Sequence, residues 1–449
     1  MKKKIHIFLV VLSAFLQFGY ANAQKKDRNK QNNQEESAVA DEYYSANFLR
    51  YSDYVYSPDI HTVQLFKKGW ELSAPIIVLN SDEQLELHFD QFGEDRKDYS
   101  WTVIQCNADW KPSVLQPHEY LETFTEDVLT DYDFSFNTLQ KYVHYSLTFP
   151  NENIKISKSG NFLLIVYPPG EPDSPVLSRR FLILEESVTI EVNLRQATTP
   201  ANRLTHQEVD FVLKPGAVRI TNPYDALKVV LVQNNCWENA ITGLTPVHIR
   251  EGELDYDYNG ENAFPGYKEY RWFDTRSLRM LTDQIEKYDF ADGKNIVDLK
   301  VDVTRTDKNH YSYSDLNGKF AIRNKEGLGD HLIEADYTLV NFRLFSPLPI
   351  TFGSVFISGA LTGWGFPKDA KMNYNYSTKC YECQLLLKQG YYSYMYLISA
   401  EKVSDSDTWY FEGSSSETEN EYQIFVYYRE DGTLYDKLIG YQKANSVID

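Results

Sequence analysis

Residues 144–167, HYSLTFPNENIKISKSGNFLLIVY, contain the pattern that most narrows what this chain can fold into. Polar and apolar side chains alternate over 144–149, which is the two-residue period of a strand with one buried face and one solvated face. His144 falls on the polar face, so we expect a surface histidine. After a polar loop, 150–161, the run FLLIVY is continuous and apolar, as in a strand buried on both faces. The segment therefore predicts a β-hairpin.

Runs of both kinds recur along the chain, and clusters of Gly, Pro, Asn and Asp separate them. The aromatic content is 15%, with 34 Tyr and 25 Phe, and aromatic side chains pack well on pleated sheets. Strands at this spacing are typical of β-sandwiches. We therefore predict an all-β fold of two or three consecutive immunoglobulin-like β-sandwich domains. In one segment, 274–290, the apolar residues have near-helical spacing; we predict a strand there, with a single helix as the alternative.

Changes in composition and pattern predict the domain boundaries. Three lysines, a short apolar run and the sequence Ala21-Asn22-Ala23 are together typical of a secretory signal peptide. The stretch that follows is polar and lacks aromatic residues, which is typical of disorder. The predicted division is a signal peptide (1–23), a disordered leader (24–44), an N-terminal β-sandwich (45–186), a middle β-rich domain (187–333) and a C-terminal immunoglobulin-like domain (334–449).

The chain is acidic, with a formal net charge of −19, and loss of the three signal-peptide lysines would lower it by 3 to −22. An acidic surface repels both the phosphates of nucleic acids and anionic lipids. Beyond the signal peptide, no run approaches the roughly 18 apolar residues that a membrane helix requires. We therefore expect an exported, water-soluble protein that binds no nucleic acid and is not embedded in a membrane.

The sequence contains no recognisable catalytic or cofactor motif. Its nine histidines form neither H-E-x-x-H nor a close H-x-H pair, and it has no G-x-S-x-G elbow, Walker loop or dinucleotide fingerprint. Cys380 and Cys383 lie three apart on a predicted strand, so they point to opposite faces at a Cα distance of ~10 Å, which exceeds the reach of a disulfide. Cys106 and Cys236 fall in different predicted domains. We predict no enzyme activity, no cofactor and no metal, and we leave the four cysteines unpaired.

The strongest match to a metal motif is LDYDYNGENAFPG. Asp255, Asp257, Asn259 and Gly260 reproduce the start of a calcium loop, but Gly266 stands where the bidentate Glu is required. Alternating Asp and Tyr before Asn-Gly is also typical of a strand that enters a hairpin turn. We therefore expect a turn at this position.

In the C-terminal domain, GSVFISGALTGWGF and QGYYSYMYL resemble the early-set immunoglobulin-like modules that bind glycogen-type glucans. Exposed tryptophans stack on sugars in such modules, and Trp364 stands near their usual position. Large aromatic side chains are mostly buried, so we predict that Trp364 is a core residue. The likeness leaves a periplasmic glycan-binding or glycan-processing protein as the alternative function.

Several longer stretches resemble the plug protein of the type IX secretion system, a family of Bacteroidota-type bacteria. The matching stretches run from about residue 60 to beyond 400, and among them are QCNADWKPS, DYDFSFNT, HYSLTFPNEN, SKSGNFLLIVY, LSRRFLI and LKQGYYSYMYL. The resemblance implies a non-catalytic periplasmic protein at the inner face of the outer membrane. Such a protein binds the giant translocon barrel of that system and occludes its periplasmic opening when no cargo is exported.

The resemblance does not identify the residues that contact the barrel. Arg179 and Arg180 are candidate anchors, although consecutive strand residues face opposite ways and at most one can lie on a given surface. The loop 150–161 is either a recognition or sealing element or a solvated turn. We expect the free protein to be a monomer.

Overall fold

A computed structural model describes residues 48–327, 329–399 and 408–446 of the chain. The predicted signal peptide lies outside these residues, as does the leader. The described part is nearly all β, with 46% strand and 5% helix, which confirms the predicted fold class. All of its strands lie in one compact unit, Tyr51–Asp449.

In chain order the strands are β1 (Tyr54–Val55), β2 (Ile60–Lys67), β3 (Ile76–Val78), β4 (Leu85–Phe92), β5 (Ser100–Cys106), β6 (Asp127–Val128), β7 (Asp131–Phe134), β8 (Tyr142–Phe149), β9 (Gly160–Tyr167), β10 (Leu177–Leu184), β11 (Thr189–Gln196), β12 (His206–Lys214), β13 (Leu227–Gln233), β14 (Cys236–Leu244), β15 (His248–Arg250), β16 (Glu253–Tyr256), β17 (Ala263–Pro265), β18 (Arg271–Asp274), β19 (Ile285–Ala291), β20 (Lys294–Leu299), β21 (Phe320–Ile322), β22 (Tyr337–Phe345), β23 (Ser354–Ser358), β24 (Asn373–Asn375), β25 (Cys380–Lys388), β26 (Gly390–Ser399), β27 (Glu421–Tyr428) and β28 (Lys437–Asn445). The short helices are α1 (Pro117–Tyr120), α2 (Pro223–Ala226) and α3 (His331–Glu334), and single 3-10 turns occupy Ala360–Thr362 and Lys368–Ala370.

The first sandwich packs the sheet β1-β10-β9-β5-β6 against the sheet β2-β4-β8-β7, and β3 joins the first of these through β10. Its core, which we call the first core, is rich in aromatic residues and includes Trp101, Phe149 and Phe181. Alternate residues of β4 and β8 enter this core because each strand has one inward face. Burying each such side chain contributes roughly 1.5–3 kcal/mol.

Two further cores follow. The second core lies between the sheets β11-β12-β16-β15 and β14-β13-β27-β28. The third core lies between the sheets β18-β26-β21 and β19-β20-β22-β25-β24, with β23 also paired to β26. Because β13 pairs with β27 and β18 pairs with β26, the predicted segments 187–333 and 334–449 share sheets instead of forming separate ones. The predicted limits of folding domains stay predictions.

The segment 144–167 is two strands, as predicted, but not a hairpin. β8 belongs to one sheet of the first sandwich and β9 to the other, so the loop between them crosses from sheet to sheet. The loop is tied down, since Glu122 and Ser157 donate backbone hydrogen bonds to Lys155 and Tyr120. β9 is buried along its whole length, which confirms that its continuous apolar run is covered on both faces.

The expectation of a surface histidine at position 144 was wrong. The side chain of His144 is buried because the outer face of β8 is covered by the third core instead of water. In the segment 274–290, Asp274 ends β18 and the next strand begins at Ile285. Leu278 packs against the third core from an irregular stretch that precedes the strand, and no helix forms there.

Candidate functional site

Large apolar side chains are exposed together at one end of the third core. Leu348 and Tyr376 project furthest, with 76% and 78% of their surface accessible. Contiguous exposed apolar surface on a soluble protein usually marks a contact site. We call this region the aromatic surface; its members are Val301, Val303, Phe345, Leu348, Phe352, Tyr376 and Tyr410.

Backbone hydrogen bonds place these residues side by side. The segment 301–306 runs between β22 and residues 410–411. On one side the N–H of Phe345 donates to the carbonyl of Asp302 at 2.8 Å, and on the other the N–H of Arg305 donates to the carbonyl of Phe411 at 2.8 Å. Asp302 points inward, so the valines on either side of it face solvent, since side chains alternate along an extended chain.

A chain of ring contacts connects the exposed residues to the core. Neighbouring ring centroids lie 5.0 to 6.0 Å apart, which is the range of favourable edge-to-face packing. The exposed rings are therefore held in fixed positions, so little side-chain entropy would be lost on binding. In order the rings are Tyr376, Tyr374, Tyr381, Phe411, Tyr410 and Phe352.

A buried ion network holds the segment 301–306 from behind. Arg271 donates to Glu412 at 2.9 Å and to Asp302 at 2.7 Å. The hydroxyls of Tyr394 and Tyr396 donate to the other oxygen of Asp302 at 2.7 and 2.8 Å. Burial alone would raise the pKa of Glu412, but the guanidinium groups of Arg271 and its neighbour Arg305 lower it to about 2. The carboxylate is thus charged throughout the physiological range and anchors the surface.

A second buried polar cluster joins the first and third cores. Asp90 on β4 receives hydrogen bonds from the hydroxyl of Tyr337 at 2.6 Å and from the ammonium group of Lys388 at 2.5 Å. Nδ1 of His144 lies 2.7 Å from the other Asp90 oxygen, and His88 Nδ1 lies 3.1 Å from His144 Nε2. We call these five residues the clamp.

Charges inside the clamp are stabilised by one another. Burial alone would raise the pKa of Asp90, but the Lys388 ammonium and the His144 hydrogen bond hold it below the usual value. Lys388 also donates to the carbonyl of Leu332 at 2.6 Å and lies 4.2 Å from the ring centre of Tyr142. Burial, with a further contribution from His144, lowers the pKa of His88 to about 4. His88 is therefore neutral at pH 7.

A third polar joint connects the first and second cores. Asp436, which is buried, accepts hydrogen bonds from the backbone of Ala108 at 3.0 Å, from Lys228 at 2.8 Å and from Arg429 at 2.7 Å. Arg429 also donates to the side chain of Asn107 at 2.8 Å. Together with the clamp, this joint makes relative motion of the cores costly, because separation would leave buried charges unpaired.

The calcium-like loop is occupied by an arginine. Asp257 lies 2.6 Å from Nη2 of Arg195, and Nε of the same arginine lies 2.7 Å from Asp210. Asp255 accepts a hydrogen bond from the backbone of Asp257, as in a turn. Across residues 48–327, 329–399 and 408–446, no group of three or more acidic, His or Cys side chains is arranged to hold a metal ion.

The other residues singled out in the sequence are engaged inside the protein. Trp364 is half-buried and packs against Tyr270, in a cavity of about 160 Å³ where the three cores meet. Arg179 donates to the backbone of Tyr54 at 3.2 Å, and the guanidinium of Arg180 stacks 4.7 Å from the ring centre of Trp110. Both guanidinium groups thus have partners within the chain, and their role as anchors stays a prediction.

The four cysteines have free thiols. Cys380 and Cys383 lie on β25, as the strand prediction requires. Burial raises the pKa of Cys106 to about 12 and that of Cys383 to about 11, so both thiols are protonated and unreactive at neutral pH.

Sequence reasoning missed the clamp, the Arg271 network and the aromatic surface. The alternation of β8 placed His144 on the right face of its strand, but the partners that bury it come from β4, β22 and β25. The only local signal was an unusual one, namely that Lys388 ends an otherwise apolar stretch of β25. In the described part of the chain, no helix is long and apolar enough to cross a membrane.

Comparison with known proteins identifies the family. The profile described as "Type 9 secretion system plug protein 1st domain" matches residues 60–185, which is the first sandwich. A crystal structure of a hypothetical protein from Parabacteroides merdae ATCC 43184 is 34% identical; the match covers 89% of this chain and 100% of that one, with a TM-score of 0.85. Native alpha-2-macroglobulin from Escherichia coli, spanning domains NIE-MG1, matches at 9% identity over 45% of this chain and 91% of that one. The TM-score of that match is only 0.16. None of the curated proteins matches. The chain belongs to the type 9 secretion system plug protein family.

Proposed function

We propose that this protein occludes the periplasmic opening of the outer-membrane translocon barrel of the type IX secretion system when no cargo is exported. The observation that carries the proposal is the family match over the first sandwich. Membership of the family makes the chain a component of type IX secretion, in the cell envelope. Binding at the barrel mouth, a periplasmic location and a monomeric free form are the proposal's own content.

The mechanism is steric and needs no catalytic group. A protein that blocks an opening must be rigid. The clamp and the Asp436 joint support such rigidity because they connect the three cores through buried charge pairs. It must also release when cargo arrives, which calls for an interface of modest size with a few aromatic anchors. The aromatic surface supplies pre-positioned rings of that kind. We assign it as the contact with the barrel.

The test is a deletion strain complemented with variants. Leu348→Asp places a charge in the aromatic surface, and Leu204→Asp places one at a residue of equal exposure, 76%, beside the second core. We expect deletion to raise outer-membrane leakage of a bulky antibiotic while the translocon is present. Leu348→Asp should reproduce that leakage and lose co-purification with the barrel, whereas Leu204→Asp should behave as wild type.

The outcomes separate the two parts of the proposal. Unchanged leakage on deletion would contradict occlusion itself. Leakage on deletion with full function of Leu348→Asp would retain occlusion and remove the aromatic surface from the contact.

A polar groove favours glycan binding as a second candidate. It is about 900 Å³ in volume and lies on the sheet formed by β20, β22, β25 and β24. Amide and acid side chains, among them Asn341, Glu382 and Gln384, line it beside the exposed ring of Tyr376. Such side chains can pair with sugar hydroxyls while a ring stacks on the sugar face. Heat release on titration with maltooligosaccharides, abolished by Tyr376→Ala, would support this function, and its absence would exclude those sugars.

A further inference from the structure

The first sandwich has one side on which both of its sheets are open. β6 is the last strand of one sheet and β7 is the last strand of the other, and only residues 129–130 separate them in the chain. Among the described residues, β7 pairs with β8 alone. An unpaired strand edge presents backbone donors and acceptors to any extended segment that approaches it.

The backbone geometry identifies the open positions. The N–H of Ser135 donates to the carbonyl of Tyr142 at 2.9 Å. In an antiparallel pair the residues that bond to the neighbour alternate with residues that point away from it. Tyr132 and Phe134 therefore direct their N–H and C=O groups to the open side. The next group on that side, the N–H of Phe136, already donates to the carbonyl of Ile333 at 2.9 Å.

The two faces of β7 differ in chemistry. Tyr132 and Phe134 lie opposite Tyr145 and Val143, so they extend the apolar face of the sandwich, and 53% of Phe134 is accessible. Asp131 and Asp133 are exposed on the other face. A strand added beside β7 would thus have apolar neighbours on one face and carboxylates on the other.

The chain segment that forms this edge is acidic, and Arg96 from outside the segment stacks 4.6 Å from the ring centre of Tyr132. Residues 112–140 contain six acidic residues and no Lys or Arg. The same segment holds several exposed large apolar side chains, namely Val114, Phe124, Val128, Phe134, Phe136 and Leu139.

We propose that the open edge of β7 binds an extended polypeptide segment of a partner protein that alternates apolar and cationic residues. The segment adds a strand to the sheet β2-β4-β8-β7. Its apolar side chains pack beside Tyr132 and Phe134, and its cationic side chains pair with Asp131 and Asp133. The inference does not rest on occlusion of the barrel, and its failure leaves that proposal standing.

The probe is a fluorescent peptide of alternating lysine and valine, about eight residues long, as in an ordinary strand. It is titrated into the full mature chain by fluorescence anisotropy. We expect binding that slows amide hydrogen exchange at Tyr132 and Phe134. N-methylation of the alternate peptide amides that face β7 should abolish binding, because it removes backbone donors without changing the charge.

A charge-matched pair of variants isolates the acidic face. Asp131→Asn with Asp133→Asn should weaken binding about fivefold, as expected for the loss of two exposed charge pairs. Glu152→Gln with Asp173→Asn removes two exposed acids from loops of the same sandwich and should leave the affinity unchanged. Equal binding of the N-methylated peptide, or equal losses in both double variants, would show general attraction to an acidic protein and overturn the proposal.

Discussion

The clamp gives the sharpest stability prediction. Asp90 and Lys388 each have 1% of their side-chain surface accessible, and their charged atoms lie 2.5 Å apart. Removing one partner of such a pair leaves a buried charge without compensation, which costs about 3–5 kcal/mol. We expect Asp90→Asn to reach that range because Lys388 would keep the Leu332 carbonyl and the Tyr142 ring as partners but no carboxylate. Lys388→Met should cost less, because Asp90 keeps the donors Tyr337 and His144.

The double variant decides whether the pair acts as a unit. Asp90→Asn with Lys388→Met leaves no unpaired charge, so it should be less destabilised than the two single variants added together, by about 2–4 kcal/mol. The measurement is denaturant unfolding of the three variants and wild type at pH 7. Additive losses would show that the two groups do not compensate each other and would refute this account of the clamp.

Three further predictions concern other buried positions. His88→Gln should remove the loss of stability that protonation of His88 causes on acidification. The pKa of His88 is 6.5 in the unfolded chain and about 4 in the folded one, so the unfolded state gains the proton first as the pH falls. The free energy of unfolding therefore declines from pH 6.5 downward, by about 3 kcal/mol at pH 4, and unfolding curves across that range check it. Burial raises the pKa of Glu269 from 4.5 to about 8, so stability falls as pH rises between those values, and Glu269→Gln should raise the melting temperature at pH 8 but not at pH 4. Gly318→Ala should lower the melting temperature more than Gly243→Ala; both have positive φ, but only at Gly318 would the new Cβ meet another residue, 2.4 Å from the Trp364 ring.

The sequence predicts features that depend on neighbouring residues better than features that depend on residues far apart in the chain. The strands β8 and β9 were predictable because the alternation and the apolar run are local properties. The burial of His144 was not, since it depends on the partnership of Asp90 with Lys388, 298 residues away. An acidic residue on a strand looks the same in sequence whether water or an ammonium group covers it.

The candidate surfaces show the same limit. Exposed apolar residues such as Leu348 cannot be told from core residues by composition, because both occur in short apolar runs between turns. The calcium-like loop was expected to be a turn, but its sequence does not show that Asp257 pairs with Arg195 of β11. In both cases the deciding contacts come from segments that are distant in the sequence.

The shared sheets of the second and third cores have a consequence for how the chain folds. β27 is a central strand of the second core, yet it follows β13 by almost two hundred residues and comes after every strand of the third core. A chain that is synthesised from its N-terminus can complete its first sandwich early. Its strands β11–β17, however, lack their partner β27 until all strands of the third core have been synthesised. Such long-range pairing slows folding and leaves strand edges exposed to aggregation in the interval. Loss of β27 and β28 would therefore disrupt the second core. The first sandwich, which is complete by Leu184, would keep its own core.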